Sequence, residues 1–195
     1  MKLADLQYIP HFDLLAPQLL FRVQHSSARA GTVKIGSRLL LLPPSNLLSG
    51  RFDIVGQPVA YFAERSETAI YEAICRREAI GVSYALTAKR SLLSVQTTAK
   101  LSLLDLRPHV SSWPVLHSLR FDQTQALAAE AHAAGFSGIV YKSAQQHDKD
   151  CFALWGQALA TLRRISLESL VESGSGNLHV ALATALNGSQ LPLLP

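Results

Sequence analysis

The segment PVAYFAERSETAIYEAICRREAI, residues 58–80, constrains the fold more than any other part of the chain. PVAYFA is a compact apolar run of strand length, and the residues after it change to a helical period in which Ala69, Ile70, Ala73 and Ile74 form one buried stripe. Ser66 is placed to cap that helix, and Glu67 favours its positive end. A strand therefore delivers the chain straight into a helix, and any architecture must contain that junction.

The remaining segments extend a sheet around it. LLFRVQ (19–24) reads as a first strand, and the two prolines of LLLLPPSNLLSGRF (39–52) predict an irregular loop. VSYALTA (82–88), LLSVQ (92–96) and LSLLDLR (101–107) read as short strands, the last ended by Pro108. DQTQALAAEAHAAG (122–135) reads as a second helix, with Asp122 and Gln125 as a capping box and Gly135 as its C-terminal stop. GIVYK (138–142) and CFALW (151–155) are strands around the polar loop SAQQHDKD, whose residues suit an active-site rim. LRRISLESLV (162–171) fits strand or helix equally. The expectation is a mixed α/β (α+β) fold, with one domain over residues 1–172 and a central, largely antiparallel sheet flanked by helices. Residues 173–195 then form a Gly/Ser link and a short apolar segment that docks on the domain or recruits a partner.

Composition narrows the function classes. With 195 residues, 48 % of them hydrophobic, the chain can bury one substantial core. Its formal net charge of +4 is spread along the chain without a basic run, which argues against nucleic acid and leaves small phosphorylated molecules open. Cys75 and Cys151 lie far apart with no metal-ligand or disulfide spacing, and His25, His109, His117 and His132 show no ligand spacing either. Neither a membrane-spanning run nor a signal-peptide core is present, so a soluble protein of the reducing cytoplasm is expected. GxGxxG and GxxxxGK[ST] are both missing, so any nucleotide must be held in another way.

Five residues invite a functional reading, each beside a plainer one. Arg51 follows Gly50 and can grip a phosphate or serve as a structural arginine. Arg22 lies between apolar residues of a strand, pointing inward to a partner or outward to solvent. Tyr61 can offer a stacking face and an orienting hydroxyl, or fill the core. Glu72 can stabilise an oxocarbenium-like ribose or pair with Arg76 one turn on. Ser143, at the mouth of the polar loop, can bind a ligand or cap a turn. A triad of Ser143, His147 and Asp148 can be written, but the GxSxG context is missing.

Together these residues match a known pattern. LFRVQ, GRFDIVGQPVAYFAERSETAIYEAICRRE and AAGFSGIVYKSAQQHDKDCFALW resemble the RES family in order and context, over roughly residues 19–155. The resemblance implies a fold like that of the ADP-ribosyltransferase toxins and the role of toxin in an Xre–RES toxin–antitoxin module. It implies cleavage of the nicotinamide–ribose bond of NAD, by hydrolysis or phosphorolysis, with protein ADP-ribosylation as the alternative. NAD is then a substrate and no metal or resident cofactor is expected. Carried over, Arg51 grips the phosphates or ribose, Tyr61 stacks on or orients the nicotinamide ribose end, and Glu72 stabilises the transition state. Ser143 positions the nicotinamide portion or its ribose, and Arg22 supplies a second positive contact. The partner implied is a cognate Xre-type antitoxin, with room for a homodimer inside the complex. Outside the enzyme class stands an RNA-binding or protein-interaction module. Two departures from the family pattern are visible: Asp53 where Asn is common, and a stretch after Ser143 without the usual small residues and arginine, which leaves the acceptor open.

Overall fold

Alternating burial along the central strands dictates the architecture. In the computed structural model, which describes residues 2–6, 10–36, 39–118 and 120–195, Gly138–Lys142 sends Ile139 and Tyr141 to one face and Val140 to the other. Asp150–Trp155 does the same, with Cys151, Ala153 and Trp155 opposite Phe152 and Leu154. A strand apolar on both faces must be covered on both, and two hydrophobic cores flank the sheet accordingly.

In chain order the strands are β1 (His11–Leu14), β2 (Leu19–His25), β3 (Val33–Ile35), β4 (Leu40–Leu42) and β5 (Val59–Ala63). The helix α1 (Ser66–Ala73) follows, then β6 (Val82–Ser83), the turn α2 (Tyr84–Thr87), β7 (Arg90–Thr97), β8 (Leu101–Asp105) and α3 (Phe121–Ala133). The chain ends with β9 (Gly138–Lys142), β10 (Asp150–Trp155), β11 (Leu162–Ser169), α4 (Val180–Ser189) and β12 (Leu193–Leu194). Eight strands form one sheet in the order β1-β8-β9-β10-β5-β2-β7-β11, in which only β8 and β9 run parallel. Helices α1, α3 and α4 contribute to one core, and the β3–β4 hairpin covers the other.

One junction of the sheet is nearly open. Strands β2 and β5 share a single residue pair, Phe21 with Ala63, whereas β2 and β7 are paired along seven residues. At the gap the Arg22 side chain donates from Nη1 to the Tyr61 carbonyl at 3.0 Å, replacing backbone ladder bonds that are not made there.

Most predicted elements occur, and several boundaries move. LLFRVQ is the second strand, because β1 pairs with β8 ninety residues later, a contact invisible to local pattern. The stretch expected to be loop throughout contains β4 before its prolines. VSYALTA is strand for two residues only, after which Ser83 caps a helical turn by accepting from the Leu86 N–H. The first helix ends at Ala73 instead of continuing to residue 80, and Ala73 and Ile74 are only partly buried. Arg65 is its N-cap, while Ser66 donates to Glu67 and makes no cap bond. Helix α3 begins at Phe121 without the expected capping box, since the Gln125 amide is spent on the Leu48 and Gly50 carbonyls. Its end is as predicted: Gly135 takes φ +90°, and the Phe136 N–H returns to the Ala131 carbonyl. LRRISLESLV resolves as strand.

The carboxy-terminal segment docks. Ala181, Leu182 and Ala185 of α4 are buried in the core shared with α1, and β12 pairs with β6. Cys75 and Cys151 are free, buried thiols. No helix among the described residues is long and apolar enough to cross a membrane. The reading of residues 1–17 falls partly, and that of the His117 side chain wholly, outside the described residues.

Leu127 of α3 is fully buried, whereas Ile80 is 92 % exposed. Leu127→Ala is expected to cost about 2–5 kcal/mol in urea unfolding and Ile80→Ala less than about 0.5 kcal/mol.

Candidate active site

The gap between β2 and β5 opens into a cleft of about 220 Å³. Arg22, Arg51, Tyr61 and Glu72 all line it, with Arg76, Phe121, Tyr141 and Gln145. Four of the five candidate residues, from segments up to fifty residues apart, thus share one concavity.

Arg51 is carried on a turn held by a dense set of bonds. The Asp53 carboxylate accepts from the Gly50 N–H at 2.6 Å and from the Tyr61 hydroxyl at 2.8 Å, and that hydroxyl accepts from the Phe52 N–H at 2.8 Å. Gly50 is obligatory for a steric reason, since a Cβ there would lie 2.5 Å from both the Asp53 carboxylate and the Tyr61 hydroxyl. From the other side α3 grips the turn: Thr124 donates to the Arg51 carbonyl at 2.6 Å, and Gln125 donates to the Gly50 carbonyl at 2.9 Å. The Arg51 guanidinium donates to the Leu116 carbonyl and lies 5.8 Å from the Phe121 ring centroid. It is therefore aimed into the cleft by protein contacts, with donors remaining for a ligand.

Tyr61 presents its ring to the cleft, but its hydroxyl is fully engaged in that turn. Burial, and then the neighbouring Asp53 carboxylate, push its ionisation well above the ordinary range, so it stays a neutral donor. Burial lowers the Arg22 guanidinium to about 10, which leaves it charged at neutral pH.

Glu72 is the most constrained acid of the site. Its Oε1 accepts from the Ser143 hydroxyl at 2.5 Å, from the Ala144 N–H at 3.1 Å and from the Gln145 N–H at 3.3 Å. Among the described residues Oε2 has no protein partner, and Glu72 is one of the residues that line the cleft. The salt bridge to Arg76 is not formed; Arg76 pairs with Glu78 at 2.6 Å.

Ser143 does not line the cleft. It is 2 % exposed and sits behind Glu72, donating to the carboxylate while accepting from the Gln145 and Gln146 N–H groups. Its hydroxyl is bonded to Glu72, not to His147, so no triad forms. The loop after Ser143 is tied to α1 by a Thr68–Gln146 bond, to the segment after α1 by the Arg77 N–H donating to Gln145, and to its own base by ion pairs of Lys142 with Asp148 and Asp150. Only Gln145 of that loop reaches the cleft.

Sequence reasoning passed over Asp53 as a departure, yet it is the hub of the Arg51 turn. Phe121 was also missed; the helix-start signal at Asp122 was the available clue to its placement.

The fold and the cleft define a class: a mixed α/β domain with a large, mostly antiparallel sheet split beside a basic, glutamate-bearing pocket. The family model described as RES domain matches residues 19–173, and the chain belongs to the RES domain family. Among solved structures it is similar to a chain of the M. tuberculosis MbcT–MbcA toxin–antitoxin complex, with a TM-score of 0.58 and 14 % identity over 81 % of this chain and 86 % of that one. Nothing matches among curated proteins.

Tyr61→Phe removes the donor to Asp53 and the acceptor for Phe52. It is expected to lower stability by about 1–3 kcal/mol, measured by urea unfolding.

Proposed function

We propose that this chain is the toxin of a toxin–antitoxin module and that its cleft consumes NAD by cleaving the nicotinamide–ribose bond. The observation that carries the reading is a carboxylate, Glu72, locked by three donors on one oxygen, with its other oxygen unpartnered among the described residues, in the lining of a cleft bearing Arg22, Arg51 and Arg76. Membership of the RES family and similarity to a chain from a toxin–antitoxin complex support the toxin role.

The charge pattern suits this substrate. NAD carries a diphosphate, which the arginines can hold, and a cationic ring bound to ribose. When the C–N bond breaks, its electron pair goes to the ring nitrogen, nicotinamide leaves neutral, and positive charge appears on the ribose carbon and ring oxygen. A fixed carboxylate facing that carbon stabilises this charge without having to reorganise. Water then gives ADP-ribose and a proton, whereas phosphate gives the phosphorylated sugar. NAD is the substrate and no resident cofactor takes part.

Within this scheme Ser143 is a positioning residue acting through Glu72, and Tyr61 offers a ring face with its hydroxyl already used. A cognate antitoxin of the Xre type would silence the protein in the cytoplasm by covering the cleft.

The test is intracellular NAD after brief induction of the wild-type chain and of Glu72→Gln, which keeps shape and removes charge. NAD is expected to collapse with wild type alone. Growth arrest with NAD unchanged in both would contradict the reading. In purified protein, Ser143→Ala is expected to lower kcat about ten- to a hundredfold with little change in KM, because it loosens Glu72 rather than the ligand.

A further inference from the structure

A second cleft, of about 350 Å³, begins beside the first, and Arg22 and Val23 line both. Its wall carries Arg29, Arg90 and His25 in addition to Arg22, and among the described residues it includes no aspartate or glutamate. Arg90 is fixed by register, standing opposite His25 where β2 meets β7, and its carbonyl accepts from the Leu170 N–H at 3.1 Å. Arg29 sits on a closed turn, its N–H donating to Thr32 Oγ1 at 2.8 Å and its carbonyl accepting from the Thr32 N–H at 3.1 Å.

Among the described residues neither Arg29 nor Arg90 forms an ion pair, and Arg22 Nε is buried without a hydrogen-bond partner. The groups oppose one another's charge: burial and then Arg29 lower Arg90, while burial, Arg90 and Arg29 lower His25. Like charges gathered without a carboxylate are a cost to the folded chain that an anion would remove.

We propose that this second cleft is an oxyanion subsite that takes a phosphate group, gripped by Arg29 and Arg90 and joined to the candidate active site through Arg22. The subsite does not depend on the NAD reading. Its phosphate has two sources: free inorganic phosphate, or the phosphate of a nucleotide.

Calorimetric titration of the full chain with inorganic phosphate tests it, in wild type, Arg29→Gln and the Arg29→Gln/Arg90→Gln pair. Phosphate is expected to bind wild type, with affinity falling at least about tenfold in the double variant and part of the way in Arg29→Gln, which changes only an exposed turn. Thermal unfolding of the double variant should not be lowered, since a like-charge pair is removed. Competition with AMP then identifies the source. Displacement of phosphate assigns the subsite to a nucleotide phosphate, and simultaneous binding assigns it to the free ion; both outcomes sustain the proposal. Equal phosphate affinity in wild type and a folded variant would overturn it, as would no binding to wild type up to about 50 mM. Because no NAD cleavage is measured, failure here is distinct from failure of the Glu72 reading.

Discussion

The site depends on the anchoring of one carboxylate. Glu72 enters on α1 and Ser143 on the loop after β9, seventy-one residues later, and the bond between them joins a helix to the sheet it covers. Two backbone N–H groups from the same loop bind the same oxygen. A glutamate has three side-chain torsions, and ordering it costs on the order of 1 kcal/mol or more. Here the cost is met by the fold, so the carboxylate stands ready before any ligand arrives.

The cleft that Glu72 faces exists because the sheet fails to close. Strands β2 and β5 pair at one residue only, and Arg22 spans the opening by donating to the Tyr61 carbonyl. A charged side chain in place of ladder bonds keeps the strands associated while leaving room beside them. Gly50, Asp53 and Tyr61 then set Arg51 on the same opening. Arg22 and Val23, at this opening, also line the second, basic cleft.

What was legible in the sequence follows from how local the determinants are. The β5–α1 junction, α3 with its Gly135 stop, β9 and β10 carry their own periodicity and turn residues, and they appear where pattern places them. Strand β1 is short and owes its place to a distant partner, Leu104 for His11, so no window of sequence contains the cause, whereas β4 pairs with the neighbouring β3 and was hidden by the prolines that follow it. Gln125 and Ser66 look like capping residues, but tertiary carbonyls and a neighbouring glutamate take their side chains. In the site, family resemblance named Arg22, Arg51, Tyr61 and Glu72, which converge on one cleft, and Ser143, which lies behind it. Asp53 reads in the sequence only as a departure from the family pattern, because its role requires Tyr61 to return eight residues later across the turn. The basic cluster of Arg22, Arg29 and Arg90 was illegible for the same reason: Arg90 meets the others through the β2–β7 register, and Arg29 through the turn that follows β2.

The central claim is that the anchored Glu72 carboxylate drives departure of nicotinamide from a bound dinucleotide. Proton NMR of purified chain mixed with NAD follows free nicotinamide directly and reports NAD binding in the same sample. The account predicts steady nicotinamide release by wild type, and retention of NAD binding by Glu72→Gln with release slowed at least about a hundredfold. Release at equal rates by both proteins, or none by a wild-type chain that binds NAD, would contradict it.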